Sequence, residues 1–77
     1  MLGIKIRELR IEKNIKQVEL AKLAGISNTY LSDIEKGRTL PSLKTLYKLA
    51  SALNVDVDIF LDTNYVNYEQ IFNQDSA

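Results

Sequence analysis

The sequence contains no cysteine and no histidine. Disulfide bridges and the usual zinc-binding sets are therefore excluded, so an apolar core has to hold the fold together. Histidine is also the commonest general base in enzymes, so its absence removes that catalytic group. The sequence has neither a phosphate-binding loop nor a cluster of carboxylates at catalytic spacing. We therefore expect a protein that is not an enzyme and that needs no cofactor and no metal. No apolar run approaches the roughly 20 residues that span a bilayer, so we expect a cytoplasmic protein without membrane contact.

Proline and glycine are also scarce, with one and three residues among 77. The chain has no repeat and no flexible linker, and its 45% hydrophobic content suits one small domain. The net charge is zero but unevenly distributed. Residues 1–61 carry ten basic and seven acidic side chains (10 − 7 = +3), and residues 62–77 carry three acidic ones (−3). We interpret 1–61 as the domain and 62–77 as a C-terminal extension, with a charge that permits nucleic-acid binding without requiring it.

The apolar residues recur at helical spacing and predict an all-α fold. Asn14 can end the first helix in a left-handed conformation, and Gly25 supplies a sharp turn. Ser27, Ser42 and Asp56 are candidate N-caps. The five predicted helices cover about 3–13, 17–24, 28–36, 43–53 and 57–61. For 62–77 a short amphipathic helix is the preferred prediction, and an extended pairing segment is the alternative.

The most informative segment is residues 17–37, which read QVELAKLAGISNTYLSDIEKG. Ala21 provides the small side chain that two closely crossing helices need, and Gly25 allows the chain to reverse. Apolar residues form the shared inner face: Leu20, Ala24, Ile26, Leu31 and Ile34. The outer face of the third helix is polar, as a helix that enters the major groove requires.

This segment resembles the helix-turn-helix of the Xre/Cro/C1-type regulators, which include lambdoid phage repressors, Sin-type regulators and restriction–modification controllers. The similarity covers about residues 2–61, through IRELRIEKNIKQVELAKLAGIS, YLSDIEKG and PSLKTLYKLASALNV. It implies a five-helix lambda-repressor-like domain that binds double-stranded DNA and regulates transcription. Lys16 departs from the family pattern, because it replaces the usual Ser or Thr cap of the second helix.

An ion pair between the first and third helices follows from the apolar stripes. Arg10 lies four residues after Ile6, and Glu35 lies four residues after Leu31, so both charges fall on inward-facing stripes. A buried charge is costly unless it is paired, and the two side chains satisfy each other if they meet. The family resemblance implies the same pair. The alternative is that both side chains reach water separately.

The expected base contacts are Asn28, Thr29, Ser32 and Asp33. Asn28 and Thr29 occupy the first turn of the third helix, the part that reaches base edges; asparagine can pair with adenine, and threonine can contact a thymine methyl. Asp33 has two interpretations. It can accept a hydrogen bond from cytosine and so act as a specificity filter, or it can turn toward Lys36 or Arg38 and only tolerate DNA.

The expected phosphate contacts are Gln17, Ser27, Tyr30, Lys36, Arg38 and Lys44. Gln17 opens the second helix, where free N–H groups favour an anion, and the family resemblance implies the same role. Tyr30 can instead have a packing role.

The C-terminal extension, 62–77, carries a stripe of aromatic residues. The stripe predicts that this side of the segment is buried, but it does not show which surface covers it. One interpretation is a homodimer contact on a pseudo-palindromic site, and the other is packing on the tail's own domain. The dimerisation candidates are Phe60, Tyr65, Tyr68, Ile71 and Phe72.

Three functions follow. The first is a transcriptional repressor, controlled by its concentration or by a regulatory protein partner. The second is an antitoxin or restriction–modification controller with the same DNA-binding mode. The third is a protein-interaction module without DNA binding, which the zero net charge and Asp33 favour.

Overall fold

The computed structural model describes residues 1–61, which form helices joined by short loops and contain no strand. The all-helical class is therefore confirmed for this part of the chain. None of its helices combines the length and apolar character needed to cross a membrane. The elements are α1 (Leu2–Glu12), α2 (Gln17–Ala24), α3 (Asn28–Glu35), α4 (Leu43–Leu53) and a 3-10 helix (Val57–Phe60).

The predicted helix ends are present with small shifts. Asn14 takes a positive φ of 57° after α1, and Asn54 takes one of 56° after α4. Ser27 caps α3, because its hydroxyl accepts a hydrogen bond from the Tyr30 N–H at 3.0 Å. Ser42 caps α4 in the same way. At Lys16 no side-chain cap forms, and the Glu19 carboxylate instead accepts from the Lys16 N–H at 3.1 Å.

The core lies between two helix pairs, α1 against α3 and α2 against α4, with α2 and α3 also in contact. The inner face predicted for residues 17–37 is buried, except that Ile26 is only partly covered. Large apolar side chains with almost no exposed surface make up its centre: Leu2, Ile6, Leu20, Leu31, Ile34, Leu46, Leu49, Leu53 and Phe60. Burying this much apolar surface is the main stabilising contribution to the fold.

Two predictions at the end of the domain need correction. The fifth element is a four-residue 3-10 helix and not an α-helix, because Asp56 accepts hydrogen bonds from Asp58 and Ile59 in a tight turn. Phe60 was predicted as a dimerisation residue, but its ring is fully buried in the core of its own domain. An apolar stripe predicts burial but not the covering surface, and here the 3-10 helix that carries Phe60 packs against α4.

Gly3 brings the first turn of α1 against the last turn of α3. A Cβ added at Gly3 would lie 2.1 Å from the carbonyl oxygen of Ile34 and 2.9 Å from that of Glu35. Only a residue without a side chain permits this approach. The N-terminal part of α1 therefore lies directly beside the C-terminal end of α3.

Candidate nucleic-acid interface

The turn between α2 and α3 sets the angle at which α3 is presented. Gly25 adopts the left-handed conformation with φ 70° and ψ 32°, and the Ile26 N–H donates to the carbonyl of Ala21 at 3.0 Å. Ala21 is buried where the two helices meet. The chain reverses within three residues, and α2 and α3 form the compact pair that the sequence predicted.

The two sides of α3 differ sharply. Leu31 and Ile34 are 0% and 1% exposed, so the inner side is fixed in the core. The opposite side presents Asn28 and Thr29 as exposed residues, with Ser32 and Asp33 half-buried beside them. Within residues 1–61, this polar outer side of α3 therefore stays accessible at Asn28 and Thr29 and partly accessible at Ser32 and Asp33.

The structure brings Arg10 and Glu35 together, as the apolar stripes predicted. The Arg10 Nε donates to Glu35 Oε2 at 2.8 Å, and Nη2 donates to Oε1 at 3.0 Å. Both side chains are largely buried, at 12% and 3% exposed. A bidentate pair is directional, because its two parallel hydrogen bonds are strong only in one relative orientation. The pair therefore fixes the orientation of α3 relative to α1.

Sequence reasoning missed that this ion pair extends in two directions. Arg10 Nη1 donates to the carbonyl of Ile15 at 3.0 Å, which ties the loop before α2 to α1. Gln17 Nε2 donates to Glu35 Oε1 at 3.1 Å. Gln17 opens an exposed turn of α2, and nothing in its sequence spacing indicates a partner in α3. The network joins α1, α2 and α3 through one carboxylate.

Asp33 turns toward Arg38, one of the two partners that the sequence offered. The Arg38 Nη1 lies 3.7 Å from Asp33 Oδ1, and the two side chains are 68% and 37% exposed. Ion pairs this open to water are weak and exchange readily. The contact favours the interpretation in which Asp33 turns toward Arg38 and only tolerates DNA, and it leaves the Asp33 carboxylate accessible.

The predicted phosphate contacts are spread over three helices: Ser27, Tyr30, Lys36 and Arg38 lie on α3 or beside its ends, Gln17 opens α2, and Lys44 lies in the first turn of α4. Ser27, Lys36, Arg38 and Lys44 are exposed, Gln17 is half-buried, and Tyr30 is half-buried against the core. The contact of Tyr30 with the core supports the packing role that was its alternative. The Ser27 hydroxyl accepts from Tyr30 and keeps its own proton free to donate.

An open groove runs from this surface to the N-terminal half of α1. Gln17, Ser32 and Lys36 line it on one side, and Arg7 and Arg10 line it on the other. Arg7 was not among the predicted contacts. Its position follows from Gly3 and Arg10, which lie on the same face of α1 and both contact the C-terminal end of α3.

No set of three or more possible metal ligands lies together within residues 1–61. The remaining predicted dimerisation residues, Tyr65, Tyr68, Ile71 and Phe72, lie outside the described residues.

A two-helix unit with a tight glycine turn, a buried inner side and a polar outer side defines a helix-turn-helix protein. A sequence model of the helix-turn-helix family matches residues 6–60. The chain belongs to this family and, within it, to the Xre/C1-type regulators.

Three similar proteins illustrate the relationship. The ImmF control region 10 kDa protein of Bacillus phage phi105 is 53% identical over 58 residues, which are 75% of this chain and 64% of that protein. This chain therefore spans just under two thirds of that relative's length. Control protein C.BamHI of Bacillus amyloliquefaciens is 39% identical over 72 residues, 91% of this chain and 89% of that protein.

The third similar protein is a solved structure, the crystal structure of SinR, a master regulator for biofilm formation, in complex with DNA. It matches with a TM-score of 0.77 and 40% identity, covering 80% of this chain and all of that chain.

Proposed function

We propose that the protein binds double-stranded DNA by placing α3 in the major groove and thereby regulates transcription, as a repressor. The observation that carries the proposal is the contrast between the two sides of α3. One side is fixed in the core, and the other is polar and accessible at its N-terminal end within residues 1–61. The similarity to SinR, whose solved structure is a complex with DNA, supports it. A protein seated across a promoter excludes polymerase, which is how a chain this small can repress.

The base-reading role falls to residues whose side chains are accessible and can donate and accept hydrogen bonds. Asn28 and Thr29 lie at the exposed N-terminal end of α3, and Ser32 lies one turn further on. An asparagine amide can pair with both N6 and N7 of adenine, which discriminates that base from the others. Asp33 turns its carboxylate toward Arg38, so it tolerates DNA and reads no base.

Selection of bound sites from a random duplex pool tests the proposal, with Asn28→Ala compared with the unchanged protein. We expect an enriched motif, and a loss of discrimination of about 1–3 kcal/mol at one base pair in Asn28→Ala. The unfolding midpoint should not change, because the side chain is exposed. Leu23→Ala, which removes an exposed side chain on α2, serves as the matched control and should select the original motif.

Failure to retain any duplex at low salt would contradict the proposal. Even non-specific affinity depends on phosphate contacts, so its absence would favour a protein-interaction module instead.

We propose further that the protein acts as a homodimer through residues 62–77. One domain of this size reads only a few base pairs, and a two-fold pair of domains reads two half-sites about one helical turn apart. The burial of Phe60 leaves Tyr65, Tyr68, Ile71 and Phe72 as the candidates for the contact. Packing of these residues on their own domain is the alternative.

Light scattering separates the two arrangements of the tail. We expect the full chain to be a dimer and a chain that ends at Asp62 to be a monomer. If the full chain is a monomer, the dimer proposal is wrong. A palindromic motif in the site selection would support it independently.

A restriction–modification controller is a second candidate function. The similarity to control protein C.BamHI favours it, because that match extends over 91% of this chain and 89% of the relative. Footprinting on the DNA upstream of the protein's own gene and of its neighbours distinguishes the candidates. A controller would protect a site beside an endonuclease gene, and a general repressor would not. A regulatory protein partner is compatible with either function.

A further inference from the structure

We propose that the DNA-binding surface extends beyond the helix-turn-helix onto α1, where Arg7 binds a backbone phosphate. This inference rests on the proposed function and adds a contact that the sequence did not indicate. It concerns the groove lined by Arg7, Arg10, Gln17, Ser32, Glu35 and Lys36, with Met1 and Ile4 at its outer end.

Arg7 is placed in this groove by its neighbours on both sides along α1. Gly3, four residues before it, lies against the backbone of Ile34 and Glu35. Arg10, three residues after it, is bonded to the Glu35 carboxylate. Residues spaced by three and four share one face of a helix, so Arg7 lies on the face of α1 that is turned toward α3. Its side chain is nevertheless exposed.

The charges of the groove are those of an anion site. Three cationic side chains and one carboxylate line it, so the net charge of its side chains is 3 − 1 = +2. Glu35 is already bonded to Arg10 and Gln17. Within residues 1–61, no hydrogen bond or ion pair engages the side chain of Arg7 or of Lys36, so these two charges are the ones left for an external anion.

The anion is a DNA phosphate, because the groove and the proposed groove-reading surface share residues. Ser32 lies on α3 and Lys36 directly follows it, and Gln17 opens α2, where a phosphate is expected. A duplex seated on α3 therefore carries its backbone over the open groove. A guanidinium is well suited to this contact, since it can donate two parallel hydrogen bonds to one phosphate.

The salt dependence of binding to a mixed-sequence duplex measures this contact. We expect Arg7→Gln to reduce the slope of log K against log salt by about 0.9 relative to the unchanged protein. Raising salt from about 50 to about 200 mM should then weaken the unchanged protein about threefold more than it weakens the variant. Arg7→Lys should restore most of the slope, because the charge returns.

Lys48→Gln is the matched control. It removes the same charge from a separate groove between α2 and α4, which shares no lining residue with the first. Its slope should equal that of the unchanged protein. An unaltered slope in Arg7→Gln, or an equal reduction in Lys48→Gln, would overturn the inference while leaving DNA binding itself intact. If the unchanged protein retained no duplex, the proposed function would be wrong, and this contact with it.

Discussion

Helices α3 and α4 begin in the same way and are held in different ways. Each is capped by a serine whose hydroxyl accepts from the third residue along, at 3.0 Å for Ser27 and 3.1 Å for Ser42. Beyond the cap, α4 is attached by a broad apolar stripe over eleven residues. The shorter α3 buries two apolar side chains and the charged Glu35.

This difference shows what each helix contributes. Apolar burial is strong and non-directional, so α4 stabilises the domain without specifying a narrow angle. Hydrogen bonds weaken steeply when they are misaligned, so the Glu35 network specifies how α3 is oriented. The helix that buries fewer apolar side chains, α3, is the one that we propose reads DNA. DNA binding depends on its orientation more than on that of α4.

The largest expected effect comes from breaking the network that holds α3. Arg10→Met should destabilise the domain by about 3–5 kcal/mol, because it leaves the Glu35 carboxylate buried without its main partner. Urea denaturation measures the loss. The double variant Arg10→Met/Glu35→Leu should recover most of the stability, because no charge remains buried. An unchanged melting temperature in the single variant would contradict the assigned role of the pair.

A slightly smaller effect is expected from weakening the apolar attachment of α4. Leu49→Ala should cost about 2–5 kcal/mol, because it leaves a cavity where a fully buried side chain was. DNA affinity per folded molecule should stay unchanged, because α3 keeps its network. Leu23→Ala, at a position that is 65% exposed, should cost less than about 0.5 kcal/mol. Equal losses in the two variants would contradict the assigned core.

The smallest effects concern the caps, where the two helices are most alike. Ser27→Ala should cost about 1 kcal/mol. Ser42→Ala should cost more, toward about 2 kcal/mol, because the Ser42 hydroxyl also donates to Thr45 Oγ1 at 3.1 Å and Thr45 is buried. Thermal unfolding of the two variants side by side checks the order. The reverse order would show that the contact with Thr45 adds nothing.

Much of the site could be predicted because its signals lie in residue type and in spacing along each helix. Gly25 and Asn14 mark backbone conformations that few residues adopt, and both have the positive φ expected of them. The meeting of Arg10 with Glu35 followed from two charges placed on apolar stripes, where each needs a partner. The prediction that Phe60 contributes to a dimer contact was wrong. An apolar stripe predicts burial but does not show which surface covers it.

The sequence by itself determined the helices, the turn between α2 and α3, and which side of each helix is buried. These depend on residue spacing and on single backbone conformations, which are properties of neighbours along the chain. Only the tertiary structure decided that Gln17 binds Glu35, that Asp33 turns to Arg38, and that Arg7 faces the same groove as Lys36. Gln17 and Glu35 lie far apart in sequence, as do Arg7 and Lys36. Even between near neighbours such as Asp33 and Arg38, polar side chains on an exposed surface have several partners within reach until the packing of the helices decides among them.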